Sequence, residues 1–148
     1  MSLDDLYRRV LLDYARSSRN RGQVKNETAT MELSNPSCGD RVRLSLDLRE
    51  GRIQEAKFTG EGCSISMASA SMMTEAVQGL TLQEATDLWQ TFSRWLQGGD
   101  IDPASFPCEE IEALSGVKKF PARIKCAMLG WDALRRSVLG VQTTSKGV

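Results

Sequence analysis

Four residues of this chain have the type and placing to do chemistry together: Cys38, Asp40, Cys63 and Cys126. Cys38 and Asp40 flank Gly39 in the turn-forming run Asn35-Pro36-Ser37-Cys38-Gly39-Asp40, where glycine's backbone freedom lets both side chains aim at one point. Cys63 follows Gly60-Glu61-Gly62 where a strand pattern gives way to a helix pattern. The unpaired N–H groups of a helix start favour a thiolate there. Cys126 falls in the first turns of the last helical stretch. Three thiolates and a carboxylate complete a tetrahedral zinc shell. The spacings, 25 residues from Cys38 to Cys63 and 63 from Cys63 to Cys126, are not the paired C-x-x-C signal of a zinc ribbon. Free cysteine is also among the most buried of residues, so spacing leaves both a metal site and a set of core thiols open. Cys108, the fourth cysteine, suits the core reading.

The chain has no histidine. That excludes a Ser–His–Asp triad, a Cys–His pair and a histidine zinc-protease motif. A general base near neutral pH has to be a perturbed carboxylate, lysine or thiolate, and a metal site has to be built from Cys, Asp or Glu. With 148 residues, 41% of them hydrophobic and 26% charged, the composition is that of one globular domain. Nineteen basic residues balance nineteen acidic ones, which speaks against a nucleic-acid partner. No apolar run is long enough to span a bilayer, and Met1 to Arg9 lacks the apolar core of a signal peptide, so a cytoplasmic protein with no membrane association is expected. Disulfides are not expected in that compartment.

The elements that must position these residues can be read from periodicity. Leu3, Leu6, Val10, Leu11 and Tyr14 recur at helical spacing over 3–17. Ser17 to Glu27 is polar and is expected as a mobile loop, and Thr28 to Leu33 as a short strand. Arg41 to Leu48 alternates, with Val42, Leu44, Leu46 and Leu48 on one face and Arg41, Arg43, Ser45 and Asp47 on the other. The turn at Arg49-Glu50-Gly51-Arg52 returns the chain along Ile53 to Thr59, antiparallel. From Ser64 small and apolar residues predict a central helix ending near Gly79. Thr81-Leu82-Gln83-Glu84 is a capping box opening a helix to about Gln97. Pro103 to Ser115 is expected as a connection with one helical turn near Glu109 to Leu114, and Pro121 as the start of a helix to about Leu139. The fold class is α+β, a small antiparallel three-stranded sheet with helices packed on it. One domain covers 1–141, and 142–148 is expected as a disordered tail.

Three stretches, taken together, resemble the ligand motifs of the IscU/SufU (NifU N-terminal-like) family of iron–sulfur cluster assembly proteins. They are Asn35 to Asp40, Gly60-Glu61-Gly62-Cys63-Ser64-Ile65-Ser66 with the small-residue run after it, and Phe120-Pro121-Ala122-Arg123-Ile124-Lys125-Cys126. The likeness spans about residues 3–139 in the family's order. The IscU branch carries a histidine just before the last cysteine, where this chain has Lys125. The SufU branch lacks it and carries an extra stretch that Gly98 to Lys119 resembles, so the closer resemblance is to SufU.

That resemblance implies a zinc-dependent sulfur acceptor and carrier with sulfurtransferase-type activity. It would take persulfide sulfur from a PLP-dependent, SufS-like cysteine desulfurase and serve downstream iron–sulfur assembly proteins. It also implies that Cys38, Asp40, Cys63 and Cys126 are the zinc ligands, that Cys38 is the acceptor thiol, and that Arg123 engages the desulfurase. Cys108 matches no ligand motif. Arg123 stands one helical turn before Cys126 on the same face; the plainer reading is a solvated surface arginine. The alternative function is a scaffold that assembles a 2Fe–2S cluster on the same cysteines, against which Lys125 argues. A purely structural zinc domain is a third reading, and the Cys–Asp turn argues for access over burial.

Overall fold

Alternating side chains produce three antiparallel strands in the order β1-β2-β3: β1 (Ala29–Asn35), β2 (Asp40–Arg49) and β3 (Arg52–Glu61). The computed structural model describes residues 2–36 and 39–147. Strand register sets the geometry of the site. Asn35 pairs with Asp40 across the first turn, and Arg41 pairs with Glu61. The β1–β2 turn and the exit of β3 therefore lie side by side at one end of the sheet.

Val42, Leu44 and Leu46 of β2 and Ile53, Ala56 and Phe58 of β3 are fully buried. Against them lies α2 (Ser64–Val77), buried over eleven of its fourteen residues. The small side chains of α2 allow α4 (Pro121–Gly147) to cross it closely. A Cβ on Gly130 would lie 2.9 Å from that of Ala70. Ser69 Oγ donates to the Ala127 carbonyl at 2.6 Å and accepts from Trp131 Nε1 at 3.1 Å. On the far side, α3 (Leu82–Leu96) opens with both bonds of the expected capping box and stacks Phe92 on Trp131 with centroids 4.1 Å apart. The first helix, α1 (Leu3–Arg16), has no fully buried residue and leaves Leu3 and Leu6 exposed.

The α+β class and the three-stranded antiparallel sheet are as the sequence predicts. Three expectations differ. The polar segment 17–27 is held against the sheet, bridging the outer edge of β3 in parallel, with Gly22 N–H donating to the Phe58 carbonyl at 2.8 Å and Phe58 N–H to the Asn20 carbonyl at 2.9 Å. Val24 N–H donates to Ser45 Oγ at 3.0 Å, so Ser45, solvent-facing by its alternation, is buried. The stretch before α4 is an eleven-residue 3-10 helix (Glu109–Lys119) in place of a single turn. Its Ile111, Leu114 and Val117 reach the core, because packing outweighs poor helical geometry. Finally, the backbone of α4 runs to Gly147, past the end near Leu139 that the sequence predicts. No proline interrupts that stretch, and Gly140 alone costs a helix only about 1 kcal/mol. No helix among the described residues is long and apolar enough to cross a membrane.

Candidate metal centre

Asp40, Cys63 and Cys126 arrive from three segments, and their ligand atoms lie within 4.8 Å of one another. Asp40 opens β2 and is 1% exposed. Its Oδ1 accepts the backbone N–H of Cys63 at 2.9 Å, and its Oδ2 faces the Cys63 sulfur at 3.8 Å. Cys63 is the N-cap of α2. Its side chain is exposed while those of Asp40 and Cys126 are buried. Cys126 sits one turn into α4 with its sulfur 3.7 Å from the Ala122 carbonyl. The α2–α4 crossing carries that turn to the Cys63 end of α2. Cys38 lies outside the described residues. The turn around it is anchored by Gly39 N–H donating to the Asn35 carbonyl at 2.9 Å, with Gly39 at φ +72°.

The donor set fits zinc. Two thiols and a carboxylate are S and O ligands of the kinds that ion takes, and the β1–β2 turn leads from Asp40 back to a third thiol two residues away. A zinc ion at this point would be held by Asp40, Cys63 and Cys126, with Cys38 as the expected fourth ligand.

The site opens to a cleft of about 490 Å³ lined by Asn35, Cys63, Ile65, Arg123, Lys125 and Cys126. Arg123 is exposed, with its guanidinium 5.3 Å from the exposed Phe120 ring. It also borders a second cleft of about 420 Å³, which reaches Tyr7, Arg8 and Leu11 of α1. Cys63, Cys126 and Arg123 therefore share one opening.

Cys108 is elsewhere. Its buried thiol donates to Glu75 at 3.2 Å, and Tyr14 donates to the same oxygen at 2.7 Å. Arg19 reaches the other oxygen of Glu75 at 2.9 Å. Burial, reinforced by Glu75, pushes the Cys108 thiol up to about 12. Burial and the same carboxylate raise the Tyr14 hydroxyl. Burial also works against ionised Glu75, but the bonds from Tyr14 and Cys108 and the charge of Arg19 outweigh it and lower that carboxyl. Glu75, Cys108 and Glu110 have ligand atoms as close together as those of the first group. Here, however, the thiol keeps its proton and the donors are engaged with one another. No sequence pattern marks this cluster, since Tyr14 and Cys108 are 94 residues apart.

A three-stranded antiparallel sheet packed by helices, with two thiols and a carboxylate gathered at one sheet end, defines an α+β domain whose sheet end could hold a metal ion. The chain belongs to the NifU-like N terminal domain family, whose pattern matches residues 6–93, and within it to the SufU and IscU proteins of iron–sulfur cluster assembly. It is 50% identical over 137 residues to the zinc-dependent sulfurtransferase SufU of Bacillus subtilis, covering 93% of this chain and 92% of that protein. It is 42% identical over 136 residues to the iron–sulfur cluster assembly scaffold protein IscU of Streptococcus pyogenes, covering 92% and 84%. The crystal structure of a putative iron–sulfur cluster assembly scaffold protein for the SUF system, from Fervidobacterium islandicum, superposes with a TM-score of 0.82 at 31% identity, covering 93% of this chain and 99% of that one.

Proposed function

We propose that this protein is a zinc-dependent sulfur acceptor and carrier that takes persulfide sulfur from a PLP-dependent cysteine desulfurase in the cytoplasm. The observation that carries the reading is the convergence of Asp40, Cys63 and Cys126 within 4.8 Å beside an open cleft. Zinc held there supplies positive charge that keeps the thiols deprotonated without redox chemistry of its own. The transfer is a thiolate exchange. The Cys38 thiolate attacks the terminal sulfur of the desulfurase persulfide, a new S–S bond forms on Cys38, the old S–S bond breaks, and the desulfurase cysteine leaves as thiolate. No electrons are gained or lost overall. Cys38 suits the role because Pro36 and Gly39 flank it in the sequence, the signature of a turn, whereas Cys63 and Cys126 are tied to helices. Arg123 lines both clefts and is exposed, which supports a role in meeting the partner.

The reading as a 2Fe–2S scaffold draws on the IscU relative, but the position before the last cysteine is Lys125. Metal analysis after anaerobic purification separates zinc from iron. The test of the acceptor role is peptide mass spectrometry after incubation with desulfurase, PLP and cysteine without reductant. Labile sulfur is expected on the Cys38 peptide and is expected to vanish in Cys38→Ser. Sulfur found only on Cys108, or undiminished in Cys38→Ser, overturns it.

A further inference from the structure

We propose that Ser66 is a positioning residue of the metal centre, holding the Cys63 sulfur as its fixed ligand; the inference rests on the metal-centre reading above. Ser66 is three residues past Cys63, in the first turn of α2, and is fully buried although its side chain is polar. Its N–H donates to the Cys63 sulfur at 3.5 Å, and its Oγ lies 3.5 Å from the same sulfur. The hydroxyl also reaches the Cys63 carbonyl at 3.0 Å. Its one proton can serve only one of these two acceptors at a time.

The choice follows from the state of the sulfur. A protonated Cys63 has a proton of its own, directed at Asp40 Oδ2 at 3.8 Å, and the Ser66 hydroxyl serves the carbonyl. A metal ligand is a thiolate with no proton. A charged acceptor outcompetes a neutral carbonyl, so the hydroxyl turns to the sulfur and joins the amide. Two donors then fix the sulfur's direction and draw electron density from it, as outer hydrogen bonds do to metal ligands.

Gly62 keeps this frame open. Its φ is +154°, and a Cβ there would lie 2.3 Å from Asp40 Oδ1 and 2.9 Å from Ser66 Oγ. Asp40 Oδ1 is taken by the Cys63 amide, so one short segment, Gly62 to Ser66, orients both the carboxylate and the sulfur. Cys63 becomes the anchored thiolate of the set.

The experiment compares the parent, Ser66→Ala and Ser71→Ala, a buried serine on the same helix with no bond to the centre. Zinc affinity is measured by chelator competition, Co²⁺ binding by its sulfur-to-metal charge-transfer band, and the metal-free fold by thermal melting. Ser66→Ala is expected to bind zinc roughly 10- to 100-fold more weakly. Its charge-transfer band should move to lower energy, because the sulfur has lost a donor, while Ser71→Ala matches the parent in both. An unmoved band in Ser66→Ala, with affinity lost only as far as the metal-free fold is weakened, overturns the proposal. A parent that binds neither ion, or a Cys63→Ser variant that binds both as the parent does, overturns the centre itself and the role of Ser66 with it.

Discussion

Tyr14 on α1 and Cys108 in the segment before the long 3-10 helix, 94 residues apart, both donate to the same carboxylate oxygen of Glu75. This joint ties a helix with no fully buried residue to the central helix and to the segment that lengthens the chain between α3 and α4. It also accounts for the one cysteine that matches no ligand motif.

Cys108→Ser should retain zinc at the parent's stoichiometry, measured by elemental analysis of the purified protein. The serine hydroxyl can still donate to Glu75, and the thiol lies among Glu75, Tyr14 and Glu110, away from Asp40, Cys63 and Cys126. Loss of zinc in this variant would place Cys108 in the ligand shell.

The same joint makes the fold sensitive to alkali. The folded Cys108 thiol titrates at about 12 against an ordinary 9.0, so its contribution is complete below pH 9 and is lost as the pH rises toward 12. The raised Tyr14 hydroxyl acts in the same direction above pH 10. Urea midpoints measured from pH 8 to 11 should therefore fall, and fall less steeply in Cys108→Ser, whose side chain does not titrate. Parallel curves would mean the thiol is not held protonated by the fold.

Gly130→Ala should destabilise by about 1–3 kcal/mol, because the added methyl meets Ala70 Cβ at 2.9 Å and Cα at 3.0 Å, neither of which is a flexible side-chain end. That outweighs the roughly 1 kcal/mol that alanine gains over glycine in a helix. Gly116→Ala, with nothing within 4 Å, should leave the melting temperature near the parent's. Equal melting temperatures for the two would mean that α2 and α4 are not in close contact.

Arg123→Ala should reduce stimulation of the desulfurase while zinc content and melting temperature stay at parent values, since the guanidinium is exposed and lies over the Phe120 ring at the start of its own helix. Assaying turnover against increasing concentrations of the variant checks this. Unchanged stimulation leaves Arg123 a solvated surface residue.

Local structure is legible in the sequence because it depends on neighbours a few residues away. The inward set Val42, Leu44 and Leu46, the Thr81–Glu84 capping box, Pro121 at a helix start and the glycine-rich approach to Cys63 all reappear in place, whereas Ser45 and Asp47, outward by alternation, are buried. The absence of histidine likewise confines any metal to thiolates and carboxylates. Periodicity carries no information on where the segment 17–27 lies, since its bonds to Phe58 and Ser45 are made to residues far along the chain. Nor does spacing bring the ligands together. Asp40 meets Cys63 because the register sets Arg41 opposite Glu61, and Cys126 joins them because Gly130 lets α4 lie against Ala70. Ser66 reads in sequence as one more small residue of a packed helix. Only the fold, by burying its hydroxyl against the sulfur of the N-cap, turns it toward the centre.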